Sequence, residues 1–137
     1  MSDIKNQRLE LKEDYITSDT LEFFKQKLLS WREELVGLSN KYMVDLKNDD
    51  LRVPDPVDFG SRQIEKERDL MAIRRSSQII LQIDNALLRM KQGEYGYCAM
   101  TGEEIGIERL KVMPLATLSV QAQEEIENRN RLDRSYS

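Results

Sequence analysis

The stretch Val53-Pro54-Asp55-Pro56-Val57-Asp58 interrupts two long helical patterns of nearly equal length and decides the architecture. Proline fixes φ and removes a backbone donor, so this segment reads as a break between helices. Upstream, Leu21, Phe24, Leu28, Trp31, Leu35, Leu38 and Tyr42 recur with spacings that alternate three and four. That is the a/d seam of a coiled coil. Downstream, Ile73, Ser76, Ile80, Ile83, Leu87 and Met90 repeat the pattern, with Ser76 as its weak spot. Each helix has about 35 residues and is about 50 Å long at 1.5 Å per residue. Matched lengths across a short break favour antiparallel pairing within one chain, although the seams alone leave intermolecular pairing open.

The predicted organisation is an N-terminal arm over 1–17, a coiled-coil hairpin over 18–92 with its tip near 49–60, a compact segment over 93–118 and a C-terminal helix and tail over 119–137. Thr17, Ser18 and Asp19 are candidate starts for the first helix, and Asp19 with Glu22 matches a capping box. The second helix is expected from about Asp55, as N-cap, with Pro56 at the first helical position and Asp58 at the third. Gly37 and Gly60 each cost about 1 kcal/mol relative to Ala inside a helix. From Gly93 onward, Gly93, Gly96, Gly102, Gly106 and Pro114 punctuate short apolar runs at 105–107 and 110–113, which reads as turns with a small hairpin. Thr117 or Ser119 caps a last helix reaching about Asn130, with Val120 and Ile126 available to pack inward.

Composition excludes several functions. Charged residues make up 34% of the 137 and aromatics 7%, which suits long solvated helices better than a thick core. A net charge of -4 gives no basis for nucleic-acid binding. No run approaches the roughly 20 apolar residues of a membrane span, and the polar first fourteen residues do not read as a signal peptide. One cysteine permits no internal disulfide, so the expected compartment is the cytoplasm. There is no histidine, Gly-rich phosphate loop or nucleophile motif, so the chain is not expected to be an enzyme.

The tip carries Asp49, Asp50, Asp55 and Asp58. Capping and dipole effects account for Asp55 and Asp58 at about 0.5–1 kcal/mol each. They do not account for four carboxylates at one end of a narrow hairpin, which repel one another unless a cation or a basic partner compensates.

Gly93-Glu94-Tyr95-Gly96-Tyr97-Cys98, followed by 102–110 and Pro114, closely resembles the C-terminal zinc-finger region of the DksA family. The tip residues 54–58 and the segment 24–35 around Trp31 resemble it too, so the likeness covers about residues 18–130. It implies a mainly α fold: a long antiparallel coiled-coil hairpin, a small zinc-finger-like domain and a terminal helix. It further implies a transcription factor that binds RNA polymerase rather than specific DNA sequences, enters the secondary channel and modulates initiation in the manner of the stringent response. In that family the tip aspartates, here Asp55 and Asp58, approach the polymerase active-site region, often together with ppGpp. A transcript-cleavage accessory factor supplying tip carboxylates to the polymerase Mg²⁺, and a plain coiled-coil interaction protein, are the alternatives.

Departures from the family pattern are equally informative. The four zinc positions fall at Cys98, Thr101, Ser119 and Ala122, and a structural zinc site needs four good donors. No metal or other cofactor is expected, so the chain is identified with the cysteine-poor, zinc-independent branch, its small domain held by Ile105, Ile107, Leu110, Val112, Leu115, Leu118 and Val120. Gly60 replaces the alanine of the family's tip motif. Arg75 keeps a basic position used on polymerase, whereas Gln78 and Gln82 stand where the next basic residues fall. The family's ppGpp positions at the coil–finger junction correspond to Gln82, Met113 and Gln123, all uncharged, so weak or absent ppGpp binding there is expected. Cys98 reads either as a redox sensor or as a buried or half-buried remnant of the zinc site, and Glu94, Glu103 and Glu104 argue against a lowered thiol pKa.

Overall fold

The computed structural model describes residues 15–52 and 56–136. Among them the fold is mainly α, with helices α1 (Ser18–Asp50), α2 (Phe59–Gln92), α3 (Ile107–Val112) and α4 (Val120–Tyr136). A single antiparallel bridge, Tyr97–Glu104, stands where a small hairpin was predicted. Among the described residues no helix is long and apolar enough to cross a membrane. The chain divides into two compact units, one of Lys27–Asn85 and one of the described residues up to 26 together with those from 86 onward.

In the unit Lys27–Asn85, α1 and α2 form the antiparallel coiled-coil hairpin. Leu28 and Ile83 are fully buried and Ser76 nearly so. Two ion pairs set the register: Arg32 Nε lies 2.8 Å from Asp84 Oδ1, and Lys66 Nζ lies 2.9 Å from Asp50 Oδ1. Eighteen residues separate Arg32 from Asp50 and eighteen separate Lys66 from Asp84, as antiparallel pairing requires. Exposed ion pairs contribute little stability, so their role here is to specify alignment. The inward row of α1 continues through Leu35, Ser39, Tyr42, Leu46 and Asp49, which are half-buried, while Leu38 is 43% exposed. Three-and-four spacing between Leu35 and Tyr42 admits either Leu38 or Ser39, and the structure turns Ser39 inward. On α2 the row likewise runs toward the tip through the half-buried Asp69, Lys66 and Arg62. The seam is apolar at one end and polar at the other.

Of the three candidate starts for α1, Thr17 is the cap, whereas α2 starts later than predicted. Thr17 caps α1: its Oγ1 accepts the Thr20 N–H at 3.2 Å and its carbonyl accepts the Leu21 N–H at 2.9 Å. Asp19 therefore lies in the first turn and forms no box with Glu22, which instead accepts from Gln26 Nε2 at 2.9 Å. Residues 56–58 form a turn and α2 begins at Phe59. The Asp58 carbonyl accepts the Arg62 N–H at 2.9 Å, so Asp58, a favoured N-cap residue, occupies that place rather than the third helical one.

The other unit has a core of Phe24, Ala86, Met90, Tyr95, Cys98, Ile105, Leu110 and Ala122. Its α2 portion ends in a Schellman motif: the Glu94 N–H reaches Arg89 O at 2.9 Å, the Gly93 N–H reaches Met90 O at 3.3 Å, and Gly93 has φ 73°. Phe24 and Tyr95 pack with ring centroids 5.9 Å apart, and the Tyr95 hydroxyl donates to Pro114 O at 2.8 Å. Val112 is 82% exposed and Val120 is also exposed, against expectation. Leu110 faces inward from the single turn of α3, which turns Val112, two residues on, to the opposite side. Ala122 is the inward residue of α4's first turn. That helix extends past Asn130 to Tyr136, supported by Arg129–Glu125 at 2.9 Å and Arg131–Asn128 at 2.8 Å.

Tyr15 clasps this unit. Its hydroxyl accepts the Gly106 N–H at 2.6 Å and donates to Gly96 O at 3.3 Å, and its ring meets Tyr97 edge-on at 5.5 Å. Gly96, at φ 87°, lies so close to Ile16 that any Cβ would collide with that side chain. Tyr15→Phe strands the Gly106 N–H, which costs about 1–3 kcal/mol. Thermal unfolding followed by circular dichroism is expected to show a Tm several degrees lower with the same initial helicity.

Candidate functional site

At the tip, Asp49 and Asp50 are compensated from within the chain. Arg52 lies 3.8 Å from Asp49, and Lys66 holds Asp50. Two of the four tip carboxylates are thus compensated by cations of the chain itself. Asp55 lies outside the described residues. Asp58 is exposed in the turn before α2, and Gly60 is exposed in its first turn, where an added Cβ would meet no heavy atom within 4 Å. Substituting alanine for Gly60 therefore costs no space. The tip is also more apolar than its acidic reading suggested, since Leu51 and Phe59 are largely exposed. Arg75 is exposed on α2.

The second candidate cluster is the set of four zinc positions. Cys98, Ser119 and Ala122 are all buried, and Thr101 sits on the loop that closes over the sulfur. This loop is tied at both ends: the Cys98 N–H donates to Glu103 O at 2.7 Å and the Gly102 N–H to Cys98 O at 2.9 Å. Ser119 caps α4, its Oγ accepting the Ala122 N–H at 3.2 Å, and thus settles which of Thr117 and Ser119 plays that part. The Thr101 Oγ1 accepts the Glu103 N–H at 3.2 Å. The donor set is one thiol, two hydroxyls already engaged with the backbone, and a methyl group. It does not fit tetrahedral zinc, which takes four N, S or carboxylate donors. No group of three His, Cys, Asp or Glu side chains suited to a metal occurs among the described residues.

What surrounds the sulfur is a ring of proton donors. Burial works against the thiolate, but the Thr101 hydroxyl and the backbone N–H groups of Ser119, Thr101 and Met100 bond to it and hold Cys98 down at about 6. Sequence reasoning weighed only charged neighbours and expected no lowering; backbone donors leave no mark in the residue pattern. Burial also pushes the Tyr95 hydroxyl up.

Two sequence families match the chain: the prokaryotic dksA/traR C4-type zinc finger over residues 93–128, and the N-terminal domain of the DnaK suppressor protein DksA over residues 20–90. The chain belongs to the DksA family. It is 40% identical over 122 residues to the RNA polymerase-binding transcription factor DksA of Caulobacter vibrioides, covering 89% of this chain and 86% of that protein. It is 30% identical over 108 residues to the protein of the same name from Escherichia coli K12, covering 79% and 72%. The solved structure of transcription factor DksA2 from Pseudomonas aeruginosa superposes with a TM-score of 0.79 at 33% identity, covering 85% of this chain and 90% of that one. The DksA finger region is of C4 type by its family description, and this member retains one of the four cysteines.

A pH titration checks the sulfur environment. The folded thiol ionises at about 6 against 9.0 for the free group. The resulting stabilisation is therefore complete above pH 9 and is lost as pH falls toward 6. Between pH 8.5 and 6 the Tm of the wild type is expected to fall more steeply than that of Cys98→Ser, whose hydroxyl does not titrate there.

Proposed function

We propose that this chain is an RNA polymerase-binding transcription factor that inserts its coiled coil into the secondary channel and modulates initiation, in the manner of the stringent response, without needing zinc. The observation that carries this reading is its 40% identity, across most of both chains, to a protein named for RNA polymerase binding. The relatives matched are named as transcription factors, in keeping with a non-enzymatic role. In this reading Asp55, Asp58 and Gly60 at the tip contact the polymerase, and Arg75 adds a contact from the coil. The exposure of Asp58 and Arg75 supports that assignment, as does the neutralisation of Asp49 and Asp50 by cations of the chain itself, which leaves the later carboxylates for a partner. Zinc independence is supported by the donor set at Cys98, Thr101, Ser119 and Ala122. The small domain, 93–118, and the terminal helix, 119–137, form the remainder of the proposed organisation. Weak ppGpp response at the coil–finger junction follows from the uncharged Gln82, Met113 and Gln123.

Competition for core RNA polymerase against a transcript-cleavage factor that occupies the secondary channel tests the proposal. Wild type and Asp55→Asn/Asp58→Asn are both expected to compete, with only the wild type altering open-complex lifetime. Failure of both to compete contradicts channel binding. RNA cleavage in backtracked complexes stimulated by the wild type points instead to the cleavage-factor alternative.

A further inference from the structure

The two cross-hairpin ion pairs, Arg32–Asp84 and Asp50–Lys66, lie within the unit Lys27–Asn85 and share one geometry. Eighteen residues make about five full turns, so Arg32 and Asp50 project from the same side of α1, and Lys66 and Asp84 from the same side of α2. At about 100° per residue, Leu29, Val36 and Met43 fall within about 60° of Arg32 on α1, and Leu70, Ser77 and Leu81 within about 60° of Asp84 on α2. The ion pairs therefore mark the two ends of one broad face that spans both helices. Between them the face is apolar: Leu29, Met43, Leu70 and Leu81 are exposed, Leu81 by 63%. Arg75 lies about 180° from Asp84 around α2, so this is not the side proposed to touch polymerase.

The charges reverse between the ends of this face. At one end the cation is on α1 and the carboxylate on α2 (Arg32, Asp84); at the other the carboxylate is on α1 and the cation on α2 (Asp50, Lys66). A half-turn about an axis that crosses both helices near Asn40 carries each end onto the other. It sets Arg32 against Asp50 of a second copy and Asp84 against Lys66 of that copy. Between them it sets Val36 against Met43 and Leu70 against Leu81. Glu33 then meets Lys47, and neither of these has an ion pair or side-chain hydrogen bond to another described residue. Asn40 meets its own counterpart on the axis, a polar position that fixes register. We propose that Val36, Met43, Leu70 and Leu81 pair two copies of this chain into an antiparallel dimer whose tips point in opposite directions. Every contact occurs twice, as two-fold symmetry requires. Alignment with both tips at one end also matches the ions, but it sets Arg74 against Met43 and Lys47 against Leu70. The face is about 30 Å long and, at two helices, about 20 Å wide. It buries about 1,200 Å² across both copies, the low end for a specific interface, so the dimer is weak and reversible. Nucleic acid is a poor occupant, because Glu33, Asp50 and Asp84 repel phosphate. The pairing does not depend on the polymerase reading.

Sedimentation velocity of the full chain between about 1 μM and about 1 mM tests the pairing. The wild type is expected to pass from monomer to dimer within that range. Leu81→Glu is expected to raise Kd about tenfold or more, whereas Met71→Glu, on another side of α2, leaves it unchanged. Glu33→Lys alone is expected to weaken the dimer severalfold and Glu33→Lys/Lys47→Glu to restore it, since only the antiparallel register brings these two residues together. All four positions are exposed. Circular dichroism verifies the helicity of each variant, and Leu70→Glu stands in if Leu81→Glu perturbs folding. A wild type that stays monomeric throughout overturns the pairing. So does a dimer that Met71→Glu breaks and Leu81→Glu leaves intact, or a double charge swap that stays as weak as the single one. A monomeric wild type whose affinity for core RNA polymerase is lost with Leu81→Glu assigns the face to polymerase and overturns the inference.

Discussion

With one cysteine and no histidine, the segment after α2 has to close through hydrogen bonds and a handful of apolar contacts. Small domains bury too little surface to rely on apolar packing alone. Here the closure runs through backbone bonds about Cys98: its N–H to Glu103 O at 2.7 Å, the Gly102 N–H to Cys98 O at 2.9 Å and the Ala99 N–H to Thr117 O at 2.8 Å. The same loop is held from its other side by Tyr15, whose hydroxyl spans Gly96 and Gly106. Each bond contributes about 1 kcal/mol net, so the arrangement depends on all of them being satisfied together. No buried side-chain nitrogen or oxygen among the described residues lacks a partner.

The hairpin is built on a different principle. Its apolar end is specified by shape, through Leu28, Ile83 and the small Ser76, together with the Arg32–Asp84 ion pair. Its tip end is specified by charge, through Lys66 with Asp50 and the half-buried Arg62 and Asp69. A polar seam is a weak source of stability, but it penalises misalignment, because a slipped register separates opposite charges.

The helical architecture was legible because apolar spacing of three and four has no other common explanation, and the double proline marked where the pattern turns. The polar continuation of the seam was not legible: Ser39, Arg62, Lys66 and Asp69 look like solvated positions until the partner helix is in place. Leu38 was misplaced because it and Ser39 both keep three-and-four spacing between Leu35 and Tyr42, and hydrophobicity chose the wrong one. In the small domain, Ser119 as a helix cap was readable from residue type. Tyr15 was not, being one aromatic in a charged segment far from the loop it joins. Among the candidate site residues, the loss of zinc donors could be counted directly from the sequence. The donors that take their place around Cys98 are mostly backbone N–H groups, which every residue but proline carries, so only the folded loop reveals them.

The account turns on a small domain closed by hydrogen bonds rather than by metal. The most direct measurement is the zinc content of the purified chain, combined with its unfolding transition in chelator and in added zinc. The account predicts substoichiometric zinc and a Tm that neither treatment moves by more than about 1 °C, well below the several-degree effect of losing a 1 kcal/mol interaction in a chain of this size. Stoichiometric zinc whose removal lowers the Tm would contradict it.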